Sequence, residues 1–572
     1  MRIAAMLVVA SACVGAEVPA QDARKAVPPA GIETHYRMPE YKTLGDWEAR
    51  RAHLRKQILA SAGLFPMPER TPLNPQVFGR VERDGYTIEK VLIETLPGFW
   101  LGGNLYRPAG KSGVRSPGVL MAHGHWTYGR LENSPEFSGQ ALGISLARQG
   151  YVGFAYDMIG YNDTVQLPHV FGRPAEQLWS FTSLGVQLWN SIRALDFLAA
   201  LPDVDSERLG VTGASGGGTQ TYLLAAVDDR IRVAAPVNMV SAIYQGGCGC
   251  ENNPGLRAGT FNVEIASTIA PRPLLLVAAT GDWTKNVPRE EYPAIRKIYD
   301  LYGKADNVET FQQQADHNYN QVSREAVYRF FRKHLGGTGE DPAERGIQAE
   351  KLQDMLALQN RVLPAGAVDE RGLFEVWRKQ TPQAADAASK RERLALALGT
   401  EWPAAVASQI DGERIALSSG RGDRVTGVWL PGGGSCAAVV AGAERGSKAV
   451  ANLRAEKCSV LLVEPFQSGL DLSKEHLTTY NRTDDANRVQ DLVTALAFVN
   501  AKRPAELRLV GAGSAAVSAL FAAAVAPVKV KLQADLSGFR GTDDDFVERF
   551  FVPGIQRAGG LEAARSLVST RP

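Results

Sequence analysis

Between Tyr86 and about Gly339 the chain alternates short, continuously apolar runs with longer stretches whose apolar residues recur at helical spacing. That alternation admits few folds. Thr87 to Glu94, Leu101 to Tyr106, Gly118 to Ala122, Val152 to Tyr156, Leu209 to Thr212, Val233 to Pro236 and Leu274 to Ala278 read as strands. The stretches from about Gly139 to Gln149, Val186 to Leu201 and Gly216 to Val227 read as helices; the second carries Leu188, Ile192, Leu195 and Leu198 on one face. Strands apolar along their whole length are buried on both faces, so the pattern predicts an α/β fold with a mostly parallel sheet covered by helices on both sides. Reaction sites in such sheets lie at the carboxyl ends of the strands. The first strand read this way starts about 85 residues into the chain.

A polar, punctuated segment at 336–372, with a helical stretch near Gln348 to Gln359, reads as a linker. Residues 373–572 then look like a second copy of the unit at 21–335. Thr426 to Pro431 echoes Leu101 to Pro108, Ala437 to Gly442 echoes Val119 to Gly124, and Ala495 to Val499 matches Ala194 to Leu198. Where the first copy reads Gly213-Ala-Ser215-Gly-Gly217, the second reads Gly511-Ala-Gly513-Ser-Ala515. Glycine takes the serine position, and Ser514 stands one residue late on a tight turn. The second copy therefore reads as catalytically degenerate, and incomplete at its C-terminus, where Thr570-Arg-Pro572 resembles the Pro271-Arg-Pro273 that precedes a further strand in the first. If the copies share a fold, Cys436 and Cys458 begin neighbouring parallel strands and are placed to form a disulfide.

The first 20 residues have the form of an export signal: Met1-Arg2, an apolar run from Ile3 to Ala16, and small residues before a cleavage point after Ala20. The run is too short to span a bilayer, which takes roughly 20 apolar residues. An exported, periplasmic or extracellular protein is expected; a lipoprotein anchored through Cys13 is the alternative reading. Lys+Arg 63 against Asp+Glu 61, with no block of like charge, argues against nucleic acid as a partner. Four cysteines remain after Cys13, too few for a disulfide scaffold in 572 residues. Cys248-Gly-Cys250 has no second Cys or His pair at zinc spacing, so no metal site is expected there.

Leu209 to Gly218 is a strand, a G-x-S-x-G pentad and a helix start. This context exposes Ser215 on a strained turn, with the N–H of Gly216 behind it for a developing oxyanion. A serine nucleophile needs a base, and of the 8 histidines His317 stands in a polar loop after the apolar run from Val308 to Phe311. The base needs an acid to hold its tautomer. Asp282 follows the strand at 274–279, with Glu251 and Asp316 as fallbacks. The turn His123-Gly124-His125 ends the strand where a second oxyanion donor is expected, and His125, through the turn that Gly124 opens, is assigned that place. Reading His123 and His125 as metal ligands is weaker, because no partner follows at close spacing. Trp126, Tyr128, Trp179, Trp189 and Trp283 are candidates for the site wall. The chemistry calls for no cofactor.

The order Ser215, Asp282, His317, with Asp84 to Lys90, Leu96-Pro-Gly98, Asn104 to Pro108, the His-Gly-His turn, Asp157 to Gly160 and Gly247 to Asn253, resembles the α/β-hydrolase superfamily. Within it the chain resembles the secreted bacterial acetyl-xylan-esterase-like branch, from roughly Tyr36 to Gly336. That resemblance implies a Ser–Asp–His esterase acting through an acyl-enzyme on ester-substituted plant polysaccharide, acetyl first. A uronate methylesterase on pectin is an alternative. A peptidase of the prolyl-oligopeptidase type is another, although too few residues precede the sheet for a propeller. Cephalosporin-C deacetylase relatives carry Gln where this chain has Gly216, and glucuronoyl esterases carry Arg in the elbow. A binding role for the degenerate copy is weighed against a structural one, and the structural one is preferred.

Overall fold

A computed structural model describes residues 17–110, 113, 115–338 and 342–569. Cys13 and the apolar run of the export signal lie outside the described residues. Among the described residues no helix is long and apolar enough to cross a membrane.

The first sheet has nine strands: β1 (Gln76–Arg83), β2 (Tyr86–Leu96), β3 (Phe99–Pro108), β4 (Ser116–Ala122), β5 (Val152–Tyr156), β6 (Val204–Ala214), β7 (Ile231–Val237), β8 (Leu274–Ala279) and β9 (Val308–Gln313). They lie in the order β1-β2-β3-β5-β4-β6-β7-β8-β9. β1, β2, β3 and β5 pair antiparallel, and from β5 across to β9 every pairing is parallel. The central strands β4, β5 and β8 are buried along their entire length, as their continuous apolar sequences require.

Helices cover both faces. Helix Ser183–Ala200 starts where the Thr182 side chain accepts the Gly185 N–H and stops just before Leu201-Pro202. Its apolar face joins one core with helices Leu44–Ser61 and Gly216–Val227. Helices Gly139–Arg148 and Gln321–Leu335 close the other face. This is an α/β-hydrolase-like arrangement.

Two elements differ from the sequence reading. The sheet begins at Gln76, so 75 residues precede it, because β1 is an edge strand whose Arg80, Glu82 and Arg83 hide any alternation. The stretch near Gln348 to Gln359 yields one short helical turn, Leu352–Met355. Its backbone is bound elsewhere: Met355 O accepts from Asn104 Nδ2 at 2.9 Å, and the N–H groups of Ala357 and Leu358 donate to the Asp163 carboxylate at 2.9 and 2.8 Å. This segment lies on the first sheet, and the following helix Glu370–Lys379 buries Leu373 and Trp377 in the core of that same unit.

The second sheet has seven strands: β10 (Ala407–Asp411), β11 (Arg414–Ser418), β12 (Val425–Leu430), β13 (Cys436–Ala441), β14 (Ser459–Val463), β15 (Glu506–Gly511) and β16 (Lys531–Ala534). Their order, β10-β11-β12-β14-β13-β15-β16, repeats the order of the first seven strands of the larger sheet, and the strand directions repeat too. Cys436 and Cys458 stand side by side at the start of β13 and just before β14, joined as a disulfide with Cα atoms 4.8 Å apart.

Candidate active site

Ser215 is the single residue between β6 and helix Gly216–Val227, at φ 58° and ψ −127°. A non-glycine residue held there costs about 1–3 kcal/mol, supplied by its surroundings. The Ser215 N–H donates to Val237 O at 3.1 Å, which ties the turn to β7. The strand and helix meet closely because Gly213 lacks a side chain: a Cβ there would fall 2.3 Å from Ala122 O. Gly124, just beyond β4, closes on the same turn. A Cβ on it would fall 2.6 Å from Ala214 O and 2.9 Å from Ser215 Cβ. Among the described residues the N–H groups of Gly124 and His125 donate to no protein acceptor.

Asp282 lies in the turn after β8. Its Oδ1 accepts the N–H of Thr284 at 2.7 Å and the Thr284 hydroxyl, leaving Oδ2 for His317 Nδ1 at 2.8 Å. The carboxylate is buried, whereas the His317 side chain is 28% exposed. The His317 ring packs against Trp283, centroids 4.4 Å apart, and lies parallel to Trp126 at 6.3 Å. Trp126 also covers Gly124, so one indole packs on the glycine that abuts Ser215 and faces the imidazole. His317 Nε2 is buried and, among the described residues, has no hydrogen-bond partner. Beside Asp282 a cavity of about 370 Å³ opens between Glu33, Tyr244, Trp283 and Lys285.

The remaining candidates are engaged elsewhere. Glu251 accepts from the Thr219 hydroxyl and the Cys248 N–H, both at 3.1 Å. Asp316 sits against Gly281. Trp189 is core, Trp179 donates to Asp543 of the second unit, and Tyr128 is exposed. Ser514 starts its helix at φ −62° and ψ −20°, without the positive φ that Ser215 adopts.

His123 is a buried strut. Its Nδ1 donates to Gly124 O and its Nε2 accepts the Met158 N–H, both at 2.8 Å, and burial pushes its pKa down to about 3. Behind the turn, buried Arg130 bridges Asp157 and Asp163, and burial raises Asp157 to about 6.

One cluster was invisible to spacing along the chain. His125, His169, Cys248 and Cys250 converge from three loops, with their ligand atoms all within 4.8 Å of one another. The expectation that Cys248-Gly-Cys250 lacks partners is thus corrected: the second pair is His125 and His169, and folding rather than spacing supplies it. His123, the other half of the weaker metal reading, stands outside the cluster.

The fold, with a strained serine turn after β6 and a hydrogen-bonded pair of a buried carboxylate and a partly exposed imidazole, is of the α/β-hydrolase type. No family model matches the sequence. The hydrolase YtaP of Bacillus subtilis is 27% identical over 316 residues, covering 50% of this chain and all of that one. The solved structure of methylesterase BT1017 is 31% identical with a TM-score of 0.53, over 59% of this chain and 76% of its own. The chain belongs to the family of that methylesterase.

Proposed function

We propose that the protein is an exported serine esterase that removes ester substituents from plant-type polysaccharide. The observation that carries this reading is the hydrogen-bonded pair His317–Asp282, whose imidazole lies parallel to Trp126, the indole that covers the glycine abutting Ser215. His317 takes the Ser215 proton as the oxygen attacks the ester carbonyl. The N–H groups of Gly216 and of the Gly124–His125 turn receive the oxyanion. The carbon–oxygen bond to the alcohol breaks, His317 returns the proton to the leaving alcohol, and water repeats the sequence on the acyl-enzyme to release the acid. Tyr244, Trp283 and Lys285 line the cavity beside Asp282 and would give a sugar aromatic and cationic contacts.

The likeness to a methylesterase favours the methyl ester of a uronate over the acetyl ester that the sequence motifs suggested first. Acetyl remains the second reading. The disulfide supports an oxidising compartment and therefore export.

The seven-stranded unit that follows helix Glu370–Lys379 is read as a degenerate copy with a structural role. The matching strand order supports duplication, and Gly513 stands where the nucleophile would be. Its segment Leu477–Tyr480 props the loop beside the site: Thr478 O and Thr479 O accept the N–H groups of Gly255 and Arg257, and the Tyr480 hydroxyl donates to Asn252 Oδ1 at 2.7 Å.

The test uses the protein and its Ser215→Ala variant on methyl-esterified pectin and acetylated xylan, with methanol and acetate followed by proton NMR. Methanol release by the unmodified protein alone is expected. Acetate release instead moves the substrate to acetyl esters, silence on both removes the polysaccharide reading, and full activity of Ser215→Ala removes the nucleophile.

A further inference from the structure

We infer that His125, His169, Cys248 and Cys250 form a closed binding site for one divalent zinc-class cation, next to the turn that carries Ser215. The donor set is two thiols and two imidazoles, which suits zinc in tetrahedral coordination with the two thiolates balancing the ion's charge.

Geometry supports it. His125 Nε2 lies 3.1 Å from Cys250 Sγ, and His169 Nε2 lies 3.4 Å from Cys248 Sγ. A zinc tetrahedron with bonds of about 2.3 Å to sulfur and about 2.0 Å to nitrogen has edges of roughly 3.3–3.8 Å. The cluster closes around an ion with shifts of a few tenths of an ångström to about one ångström.

The second observation is the outer bond on His169. Its Nδ1 donates to Ile159 O at 2.7 Å, which fixes the tautomer and leaves the Nε2 lone pair directed at the sulfur. Metal-bound histidines are oriented by this same kind of backbone bond. The loop is held as well: the Cys248 N–H is taken by Glu251, and the His476 ring of the second unit contacts Gly247 O at 3.2 Å. Cys250 is buried while His125 is exposed, so an ion has a path in.

Binding releases one proton from each thiol and forms two Zn–S and two Zn–N bonds, with no change of oxidation state. The site would pin three loops that meet beside the reacting groups. The His125 ring is packed against Gly216: a Cβ built there would fall 2.6 Å from His125 Cε1. An ion on Nε2 leaves Nδ1 of that ring as the protonated nitrogen, on the side of the oxyanion turn. The role is positional, and the site stands independently of the esterase reading.

The full chain, expressed with added zinc and purified under mild reductant, is analysed by inductively coupled plasma mass spectrometry. About one zinc per chain is expected. Cys250→Ser and His169→Ala should each lower the content at least tenfold, and Ser215→Ala should leave it unchanged. Cobalt-loaded protein should show thiolate-to-cobalt charge transfer together with tetrahedral d–d bands. Because a cysteine variant can misfold, the unmodified protein is also tested: chelation should expose two further thiols to a thiol reagent, and zinc should protect them. Zinc retained by His169→Ala, no zinc in the unmodified protein, or a Cys248–Cys250 disulfide in its peptide map would each overturn the site.

Discussion

His317 is bonded through Nδ1 to Asp282 at 2.8 Å, while Nε2 of the same ring is buried and has no partner among the described residues. One edge of the imidazole is therefore fixed and the other is free to take a proton. Asp282→Asn keeps the shape but removes the charge that stabilises imidazolium and holds the Nδ1–H tautomer. Hydrolysis of an aryl ester should fall by about 10⁴-fold with the circular dichroism spectrum unchanged. A loss below tenfold would take Asp282 out of the mechanism.

His123 supplies a prediction about pH. Its folded pKa is held near 3 by burial, whereas the unfolded chain titrates near the ordinary value of 6.5. Between these values the unfolded state binds a proton that the folded state does not. Stability should therefore fall as pH drops from about 6.5 toward 3, by up to about 1.4 kcal/mol per pH unit from this group. Asp157, raised to about 6, acts in the opposite sense: its contribution is lost as pH rises through that value. Urea unfolding of His123→Gln isolates the first effect. The variant should be weaker at pH 7 and show a flatter decline below pH 6.5; parallel declines would contradict the assignment.

The parallel strands were legible because each is apolar along its length, and the serine turn because Gly213, Ser215 and Gly217 sit between such a strand and a helix. β1 was not, since no residue of this edge strand is buried and nothing in it therefore demands apolar alternation. Trp283 was named as one of five wall candidates, but only folding shows it against His317. The His125–His169–Cys248–Cys250 cluster had no sequence signature at all. Its members are separated by 44, 79 and 2 positions along the chain, and metal-site spacing rules register ligands only where they share a loop or helix.

Gly124 supplies a second kinetic test. A methyl group there meets the backbone of Ala214 and the Cβ of Ser215, neither of which is the far end of a flexible chain. Gly124→Ala should displace the oxyanion turn. Turnover is expected to fall by roughly 10²–10³-fold, the usual cost of one lost oxyanion donor, with a smaller change in KM. An unaltered turnover would place the oxyanion donors elsewhere.

The disulfide bears on stability alone. Cys436 and Cys458 are 22 positions apart, and a loop of that size is worth about 3 kcal/mol in the chain-entropy account. The double variant Cys436→Ser/Cys458→Ser should unfold at lower urea, and reductant should bring the unmodified protein to the same midpoint. Insensitivity to reductant would show that the bond does not contribute.

Arg24 reaches the second unit from the start of the described chain. It donates to Asp491 at 2.6 Å, is held by Asp22, and lies 4.3 Å over the Phe466 ring. The Asp491 side chain is 4% exposed, and burial lifts its pKa to about 7 against the pull of Arg24. Removing the guanidinium leaves a buried carboxylate unpaired, a change that typically costs about 3–5 kcal/mol. Arg24→Met should show this loss in urea unfolding at pH 8, where the carboxyl is most often charged. Adding Asp491→Asn should recover a large part of it, because a neutral amide costs less to bury than an unpaired charge. If the double variant is no more stable than Arg24→Met, the loss comes from packing on Phe466 and not from the ion pair.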